Sequence, residues 1–395
     1  MSQVYLGEFL EGAGTILLHP LFFVSFILCL VMGNARIKRE RNDFHTRVQD
    51  MFLELRFLLP AGILLGLILS LVTISSGLAV PLAAIVIIAV LSLLAAITLK
   101  VRLLSPAYTV GITFFLLMLL VDKTPNLPFF RQAFNSINEA VYPSVAILAG
   151  LLLIIEGLLI QRNGYKATSP KLIPSKRGSI VGAHESKRLW MVPLFLFIPG
   201  GVMESPFSWW PVFHLGETEF TPILVPFLIG FFQQIQGLLP KEAVRINGRR
   251  VTALGVVITL LSIAGYWYPL LAIAGAAAAI LGREMLHMYQ SHSEKKKPFY
   301  FSRRSNGLMI LGIIPKSPAE KMGLSAGEII SKVNGIKIEN EQQLYEALQR
   351  NGAHCKLEVL DNNSEIRFVQ RALYEGEHHE LGILFVQEQK KRKAV

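Results

Sequence analysis

The sequence predicts an α-helical multi-pass membrane bundle followed by one small α+β domain at the C-terminus. Three observations support this fold class. Of the 395 residues, 52% are hydrophobic and only 17% are charged, whereas soluble domains are about 25% charged. Apolar stretches of membrane-spanning length recur up to residue 282. The block 307–388 has instead the short apolar alternations, turns and helix caps of a folded soluble domain.

The apolar stretches are candidate spans, because a helix needs about 20 mostly apolar residues to cross the hydrocarbon core. They are 14–32, 57–75, 78–99, 104–121, 141–160, 189–203, 220–239 and 251–281. The segment 189–203 is short and interrupted by proline, so it either spans or is re-entrant. The stretch 251–281 is either one long crossing or two short ones. Tyr266-Trp267-Tyr268-Pro269 at its centre favours a helical hairpin with an interfacial turn.

Lysine and arginine in the connectors predict the orientation. Residues 1–13, 76–77 and 204–219 contain neither, whereas the connectors 33–56, 161–188 and 240–250 are basic. The N-terminus is therefore expected outside, and a hairpin at 251–281 returns the chain to the cytoplasm. The basic linker 283–306, the domain 307–388 and the basic tail 389–395 follow there. The net charge of +11 is explained by basic loops beside anionic lipid headgroups, so no nucleic-acid partner is expected.

Short sequence patterns predict the order of helices and strands in the C-terminal domain. Ser317-Pro318-Ala319-Glu320 forms a capping box that begins a short helix, and Gly323 ends it. Asn334-Gly335 predicts a tight hairpin turn. Asn340 with Gln343 caps a second helix, 341–350, on which Leu344, Ala347 and Leu348 share one face. The predicted strands are 308–315, 327–333, 336–338, 356–360, 365–369 and 381–386.

The residues SPAEKMGLSAGEIISKVNG, at 317–335, resemble the PDZ family. PDZ domains bind a peptide by adding it as a strand beside one β-strand, with a backbone nest for its terminal carboxylate. The resemblance implies such a nest, and Leu381-Gly382-Ile383 matches it better than anything upstream of Gly307. We therefore expect a circularly permuted PDZ domain with its groove between strand 383–387 and helix 341–350. The alternative is that 381–386 only closes the sheet. The candidate groove residues are Leu381, Gly382, Ile383, Leu384, Phe385, Leu344, Ala347 and Leu348.

Specific catalytic motifs are absent from the sequence. A zinc protease helix needs His-Glu-x-x-His, but the strings that begin at His184 and His378 both lack the second histidine. Neither G-x-S-x-G nor a phosphate-binding loop occurs. Cys29 and Cys355 lie in unrelated places, so neither a disulfide framework nor a metal site is expected. The sequence therefore predicts a protein that is not an enzyme and binds no cofactor or metal.

Few ionisable residues lie inside the candidate spans. Glu156 is close to the cytoplasmic end of its span, where it either snorkels or pairs with Arg162. Gly62 and Gly66 form a G-x-x-x-G motif in the second span. This motif allows close helix packing, either inside the bundle or between protomers of a homo-oligomer.

The complete layout is similar to the MinJ family, division-site topology proteins of rod-shaped Gram-positive bacteria. The resemblance implies a membrane scaffold that bridges the polar protein DivIVA to MinD, and so positions the MinC/MinD inhibitor of FtsZ assembly. It also implies enrichment at division septa and poles. An alternative is a PDZ-containing accessory protein of membrane proteolysis or secretion, and a third is a transporter with an appended PDZ domain. Partner identity separates the first two, and buried charge in the bundle would support the third.

Overall fold

The structure is a computed structural model that describes residues 16–121, 141–175, 178–204, 219–350, 354–372 and 381–386, with isolated residues before 16. An N-terminal helical bundle encloses a long β-hairpin, and a β-rich module follows it. The basic tail 389–395, expected from the sequence, lies outside the described residues.

Eight helices belong to the described part of the bundle. They are α1 (Pro20–Phe44), α2 (Leu53–Leu58), α3 (Pro60–Ser76), α4 (Leu82–Ile97), α5 (Pro106–Val121), α6 (Val141–Leu159), α7 (Pro240–Ala264) and α8 (Pro269–Lys296). Five helical stretches are long and apolar enough to cross a membrane: 20–44, 53–76, 141–164, 240–264 and 269–296. The helices α4 and α5 are apolar but shorter. The prediction of a multi-pass helical membrane bundle is confirmed.

The helical hairpin expected at 251–281 is present as α7 and α8. Pro240 and Pro269 each lie in the first turn of their helix, where a proline removes only an amide that has no partner in the helix. Trp267 and Tyr268 between the helices are exposed, as expected of an interfacial turn. Helix α8 continues to Lys296, so the first half of the expected linker 283–306 is helical.

The candidate spans 189–203 and 220–239 are not helices. They lie mostly in β2 (Ile180–Glu204) and β3 (Glu219–Ile235), which pair antiparallel from His184↔Ile235 to Glu204↔Glu219. A short strand β1 (Ser169–Pro174) pairs with the start of β2. Residues 189–199 extend about 36 Å at 3.3 Å per residue, enough for the roughly 30 Å hydrocarbon core. Strand backbone is tolerated at that depth only inside protein, and Trp190 and Phe231 of this hairpin are fully buried.

Neighbouring elements form hydrogen bonds with backbone groups on the outer edge of β2. The Phe195 N–H donates to Ser70 Oγ at 3.0 Å, and Thr73 Oγ1 donates to the Phe195 carbonyl at 2.7 Å. The Phe197 carbonyl accepts from the Val80 N–H at 2.8 Å. The backbone of these alternate residues thus points away from the partner strand. The four prolines in the described parts of β2 and β3 also occupy outward-facing positions, where a missing N–H removes no hydrogen bond between the two strands: Pro193, Pro199, Pro222 and Pro226.

The G-x-x-x-G motif of α3 packs against this strand and not against a helix. A Cβ on Gly62 would overlap the Met191 carbonyl oxygen, and one on Gly66 would overlap that of Pro193. The two glycines therefore let α3 approach the backbone of β2 closely. The sequence left open whether the motif packs inside the bundle or between protomers. In the structure it packs inside the bundle.

The C-terminal module contains seven short strands and two helices within the described residues. They are β4 (Leu308–Met309), β5 (Gly312–Ile313), α9 (Pro318–Lys321), β6 (Ile329–Val333), β7 (Ile336–Lys337), α10 (Glu341–Gln349), β8 (His354–Leu360), β9 (Ile366–Ala372) and β10 (Ile383–Leu384). One sheet has the order β4-β6-β8-β9, with β7 beside β6, and β10 pairs with β5 in a second. The expected single strand 308–315 is divided between these two sheets.

Candidate functional site

Helix α10 forms one wall of the expected groove. It begins at Asn340, whose side chain accepts from the Gln343 N–H at 2.9 Å, while Gln343 Oε1 accepts from the Glu339 N–H at 2.8 Å. This reciprocal capping fixes the start of a short helix that would be marginal alone. Leu344, Ala347 and Leu348 are buried on its inner face, as the spacing predicts.

Strand β10 forms the other wall and pairs antiparallel with β5. The Gly382 and Leu384 carbonyls accept from the Ile314 and Leu311 N–H groups, each at 2.8 Å. Ile383 and Ile313 are opposite each other between these bonds. The backbone N–H and C=O of Ile383 therefore point away from β5. This is the edge along which an added peptide strand would pair.

The structure brings most of the predicted groove residues into one cluster. Six of the eight share the hydrophobic core of the module, each no more than 6% exposed: Leu344, Ala347, Leu348, Leu381, Ile383 and Phe385. Leu384 belongs to a different cluster, with Phe44 and Phe301. It faces the bundle, because successive side chains of a strand alternate between faces.

Gly382 occupies the left-handed region, with a φ of +77°. A Cβ at this position would overlap the Ser317 side chain at the start of α9. A side chain at 382 would therefore strain the backbone and displace the N-cap of α9. We expect a β-branched residue at 382 to disturb the fold of the module as well as the candidate nest.

The rim of β10 and α10 opens into a cleft of about 1530 Å³ between the module and the bundle. Tyr345, Phe385 and Val386 line it from the module, together with the exposed Gln342. The facing wall comes from the end of α1 and from β1 and β2, and includes Arg41, His45, Leu172, Pro174 and Ile180. A peptide added beside β10 would lie in this cleft.

Below the cleft, the module is packed against the bundle. His184 of β2, which lies outside the apolar part of the hairpin, is fully buried, with Nε2 2.8 Å from the Leu311 carbonyl oxygen and Nδ1 3.0 Å from Thr168 Oγ1. A carbonyl only accepts, so Nε2 carries the proton and Nδ1 accepts from the hydroxyl. Burial lowers the pKa of His184 to about 4. The imidazole is therefore a neutral link between the two parts.

A second link involves Phe301, which is fully buried and contacts the His184 ring at a centroid distance of 4.9 Å. Its carbonyl accepts from the Gly182 N–H at 2.8 Å. His184 belongs to the basic connector 161–188, and its sequence neighbours give no indication of Phe301 or Leu311. These contacts join residues more than a hundred positions apart, so no local pattern could have revealed them.

Several buried charged side chains of the bundle form ion pairs. Glu156 Oε1 accepts from Arg283 Nη2 at 2.8 Å and from its Nε at 3.1 Å, and Ser105 donates to the other carboxylate oxygen. The predicted pairing of Glu156 with Arg162 is therefore wrong. Glu284 nearby pairs with Arg102 at 3.2 Å. Glu156 and Arg283 are buried charges inside the bundle, which is the feature that would support the transporter interpretation, but each neutralises the other.

The described residues contain no group of three or more His, Cys, Asp or Glu side chains placed to hold a metal ion. Cys29 and Cys355 are buried free thiols.

Comparisons with known proteins cover the whole chain. A family model for the PDZ domain matches residues 309–361. The chain is 44% identical to the cell division topological determinant MinJ of Bacillus subtilis (strain 168) over 390 residues, which are 98% of this chain and 97% of that protein. It is 25% identical over 383 residues to the probable cell division topological determinant MinJ of Lacticaseibacillus paracasei, covering 93% and 95%. No solved structure matches the chain.

A shorter similarity involves the mitochondrial serine protease HTRA2 of Drosophila ananassae. The two are 28% identical over 93 residues, which are 24% of this chain and 21% of that enzyme. The similarity to the Bacillus subtilis protein extends instead through bundle and module alike, and that protein's name describes a role in cell division and not a catalytic activity. The chain therefore belongs to the MinJ family of cell division topological determinants.

Proposed function

We propose that the chain is a membrane scaffold that links DivIVA to MinD, and so positions the MinC/MinD inhibitor of FtsZ assembly at septa and poles. The observation that carries this proposal is the 44% identity to a cell division topological determinant over nearly both complete chains. An anchor confines the module to two dimensions, which raises its effective concentration for other membrane-bound partners. A groove that binds its peptide only weakly is then sufficient to hold a membrane-bound partner.

The module is proposed to face the cytoplasm, where these partners are found. The basic connectors support this orientation. Arg41, in the last turn of α1, faces the module across the cleft, and the basic connector 161–188 contains His184, which contacts the Leu311 carbonyl of the module. Helix α8 leads directly into the module, so the basic end of the bundle is the end that carries the module. Basic residues favour the cytoplasmic side.

The groove is proposed to take the C-terminal segment of a partner as an added strand beside β10. The outward-facing backbone of Ile383 and the left-handed turn at Gly382 support it. A photo-crosslinking residue at Gln342, which is exposed in the cleft, is expected to capture a partner in cells. The same residue at Asn363, exposed on the β8–β9 turn, is the matched control. Capture at Asn363 alone would show that partners use another surface.

A fluorescent C-terminal fusion tests the scaffold itself. We expect enrichment at septa and poles that disappears when DivIVA is deleted. A uniform membrane signal that does not depend on DivIVA would refute the proposal and favour the alternative of an accessory role in membrane proteolysis or secretion. A fusion that reaches the membrane but stays dark would place the module outside.

A further inference from the structure

A small pocket of about 90 Å³ lies at the end of the bundle that carries the module. Helix α1, helix α2 and the strands β1 and β2 surround it. Four basic side chains line it, Arg36, Arg39, Lys187 and Arg188, together with two acidic ones, Glu54 and Glu185. The remaining lining is small or apolar: Met32, Ala35, Ala167 and Ser169.

Neighbouring carboxylates already neutralise two of these four cations. Arg36 pairs with Glu54 at 2.8 Å and with Glu40 at 3.2 Å. Arg39 pairs with Glu185. Lys171 also forms an ion pair with Glu185, at 3.6 Å. Within the described ranges, no ion pair to Lys187 or Arg188 is formed. The lining therefore has four basic side chains against two carboxylates, and Glu54, which also interacts with Arg188, is already paired with Arg36.

Arg188 is almost completely buried, with 2% of its surface exposed. Its two terminal nitrogens donate to backbone carbonyls, those of Lys166, Ala167 and Lys187. These acceptors are neutral, so they satisfy hydrogen bonds without balancing the charge. A buried guanidinium in this state is costly unless an anion lies close by.

Two donors that belong to the pocket residues have no acceptor. Among the residues that the structure describes, the Nε–H groups of Arg39 and Arg188 are buried and unpartnered. A buried unsatisfied donor costs about 1–3 kcal/mol. A group with several negatively charged oxygens would satisfy both donors, and arginine side chains bind phosphate oxygens through such donors.

The pocket lies where the apolar surface of the bundle ends. On α1 the apolar run reaches Met32, and Arg36 follows one turn later. On β2, Lys187 and Arg188 immediately precede the apolar run that begins at Leu189. Val31, which precedes the pocket residue Met32, and Phe52, two residues before the pocket residue Glu54, expose their side chains. Basic pockets between spans at this level bind anionic lipid headgroups.

We propose that this pocket binds the phosphodiester of one anionic phospholipid. Lys187 and Arg188 supply the charge, and the free Nε–H groups of Arg39 and Arg188 supply hydrogen bonds. The pocket has room for one tetrahedral anion and not for a nucleotide. The acyl chains lie along the exposed apolar surface near Val31 and Phe52. The site does not depend on the division partners proposed above.

The test uses the full-length protein purified in detergent, with its thermal stability measured against added lipid. Phosphatidylglycerol is the probe, phosphatidylcholine controls for lipid in general, and inorganic phosphate controls for the free anion. Lys187→Gln removes one charge without breaking a hydrogen bond within the described residues. Lys38→Gln removes the same charge from an exposed position on α1 outside the pocket. Arg188→Lys is a second variant that keeps the charge and removes the Nε–H, together with bonds of the guanidinium to backbone carbonyls.

We expect phosphatidylglycerol to raise the melting temperature of the wild type and of Lys38→Gln, and phosphatidylcholine to do so much less. Lys187→Gln and Arg188→Lys should each need about tenfold more phosphatidylglycerol, the effect of losing about 1.4 kcal/mol of binding. Native mass spectrometry of the wild type should show one retained anionic lipid. Equal responses of Lys187→Gln and Lys38→Gln, with no retained lipid, would overturn the site. Stabilisation by inorganic phosphate equal to that by phosphatidylglycerol would overturn the lipid as its source.

Discussion

Gly182→Ala should weaken the docking of the module on the bundle while both parts remain folded. Gly182 lies on β2 in extended backbone and donates its N–H to the Phe301 carbonyl. A Cβ there would overlap Leu311 Cδ1, lie 2.8 Å from Phe301 Cβ and lie 3.2 Å from Val386 Cγ2. The leucine methyl can rotate away, but Phe301 Cβ is fixed to the backbone. The added methyl group therefore acts as a wedge in the docking surface.

Inserting a methyl group into a packed interface costs typically about 1–3 kcal/mol. At about 1.4 kcal/mol per factor of ten, the undocked population should rise roughly 5- to 150-fold. Hydrogen–deuterium exchange measures this population, because protected amides exchange through local opening. The reporter is the Tyr300 amide, which donates to the Gln236 carbonyl at 2.8 Å. Peptides that cover 297–314 should exchange faster by that factor.

Two controls distinguish undocking from unfolding. Amides of β8, in the core of the module, should keep their protection in Gly182→Ala. Gly14→Ala adds the same methyl group where no heavy atom lies within 4 Å, and its exchange should equal that of the wild type. Unchanged exchange of 297–314 in a folded Gly182→Ala variant would refute docking through this surface. Equally faster exchange in β8 would mean general destabilisation.

Three further predictions concern buried polar groups. Glu156→Ala leaves the Arg283 guanidinium buried without its carboxylate, so the purified protein should lose about 3–5 kcal/mol of stability in thermal unfolding. Adding Arg283→Met should recover part of that loss. The pKa of His184, about 4 when docked, lies below its ordinary 6.5, so docking is strongest above pH 6.5. It should weaken by up to roughly 3 kcal/mol as the pH falls to 4, measured by exchange corrected for intrinsic rates. Thr73→Val leaves the Phe195 carbonyl without its donor, and thermal unfolding should detect a loss of about 1–3 kcal/mol.

Each of these predictions has a matched variant. Arg162→Ala removes an exposed charge near the same end of α6, and a loss equal to that of Glu156→Ala would contradict the pairing with Arg283. His184→Asn should make docking insensitive to pH between 6.5 and 4, and a persistent pH dependence would assign it to another group. Ser75→Ala removes a hydroxyl that bonds only its own helix, at Val72, and a loss equal to that of Thr73→Val would exclude the strand edge as the cause.

The module could be predicted from sequence because its signals are local. Asn334 and Gly335 both adopt positive φ in the β6–β7 turn, as the Asn-Gly pair requires. The caps of α9 and α10 at Ser317 and Asn340 have the expected bonds. Each of these signals depends only on residues within four positions of each other, so one sequence is sufficient to read them.

The β-hairpin inside the bundle could not be recognised from its hydrophobicity. A fully buried strand and a membrane helix are both continuous apolar runs, and β2 is apolar from Leu189 onward. The informative signal was the spacing of proline. Pro193 and Pro199, like Pro222 and Pro226, are separated by even numbers of residues, which suits the outward phase of a strand and would break a helix.

The cleft and the phospholipid pocket depend on tertiary contacts and so escaped sequence analysis. The basic connectors 33–56 and 161–188 are visible in the sequence as determinants of orientation. The sequence does not show that Arg39 pairs with Glu185, whereas Arg188 forms no ion pair with any residue that the structure describes. Charge in a connector is visible in sequence, whereas compensation of that charge depends on which connectors meet.

The position of MinD in living cells shows whether this chain links it to septa and poles. Fluorescent MinD is imaged in the protein's own host with the chain present, deleted, and restored from a second locus. We expect MinD at septa and poles when the chain is present, a dispersed signal when it is deleted, and recovery on restoration. MinD that remains at septa and poles after the deletion would contradict the proposal that this chain links it to them.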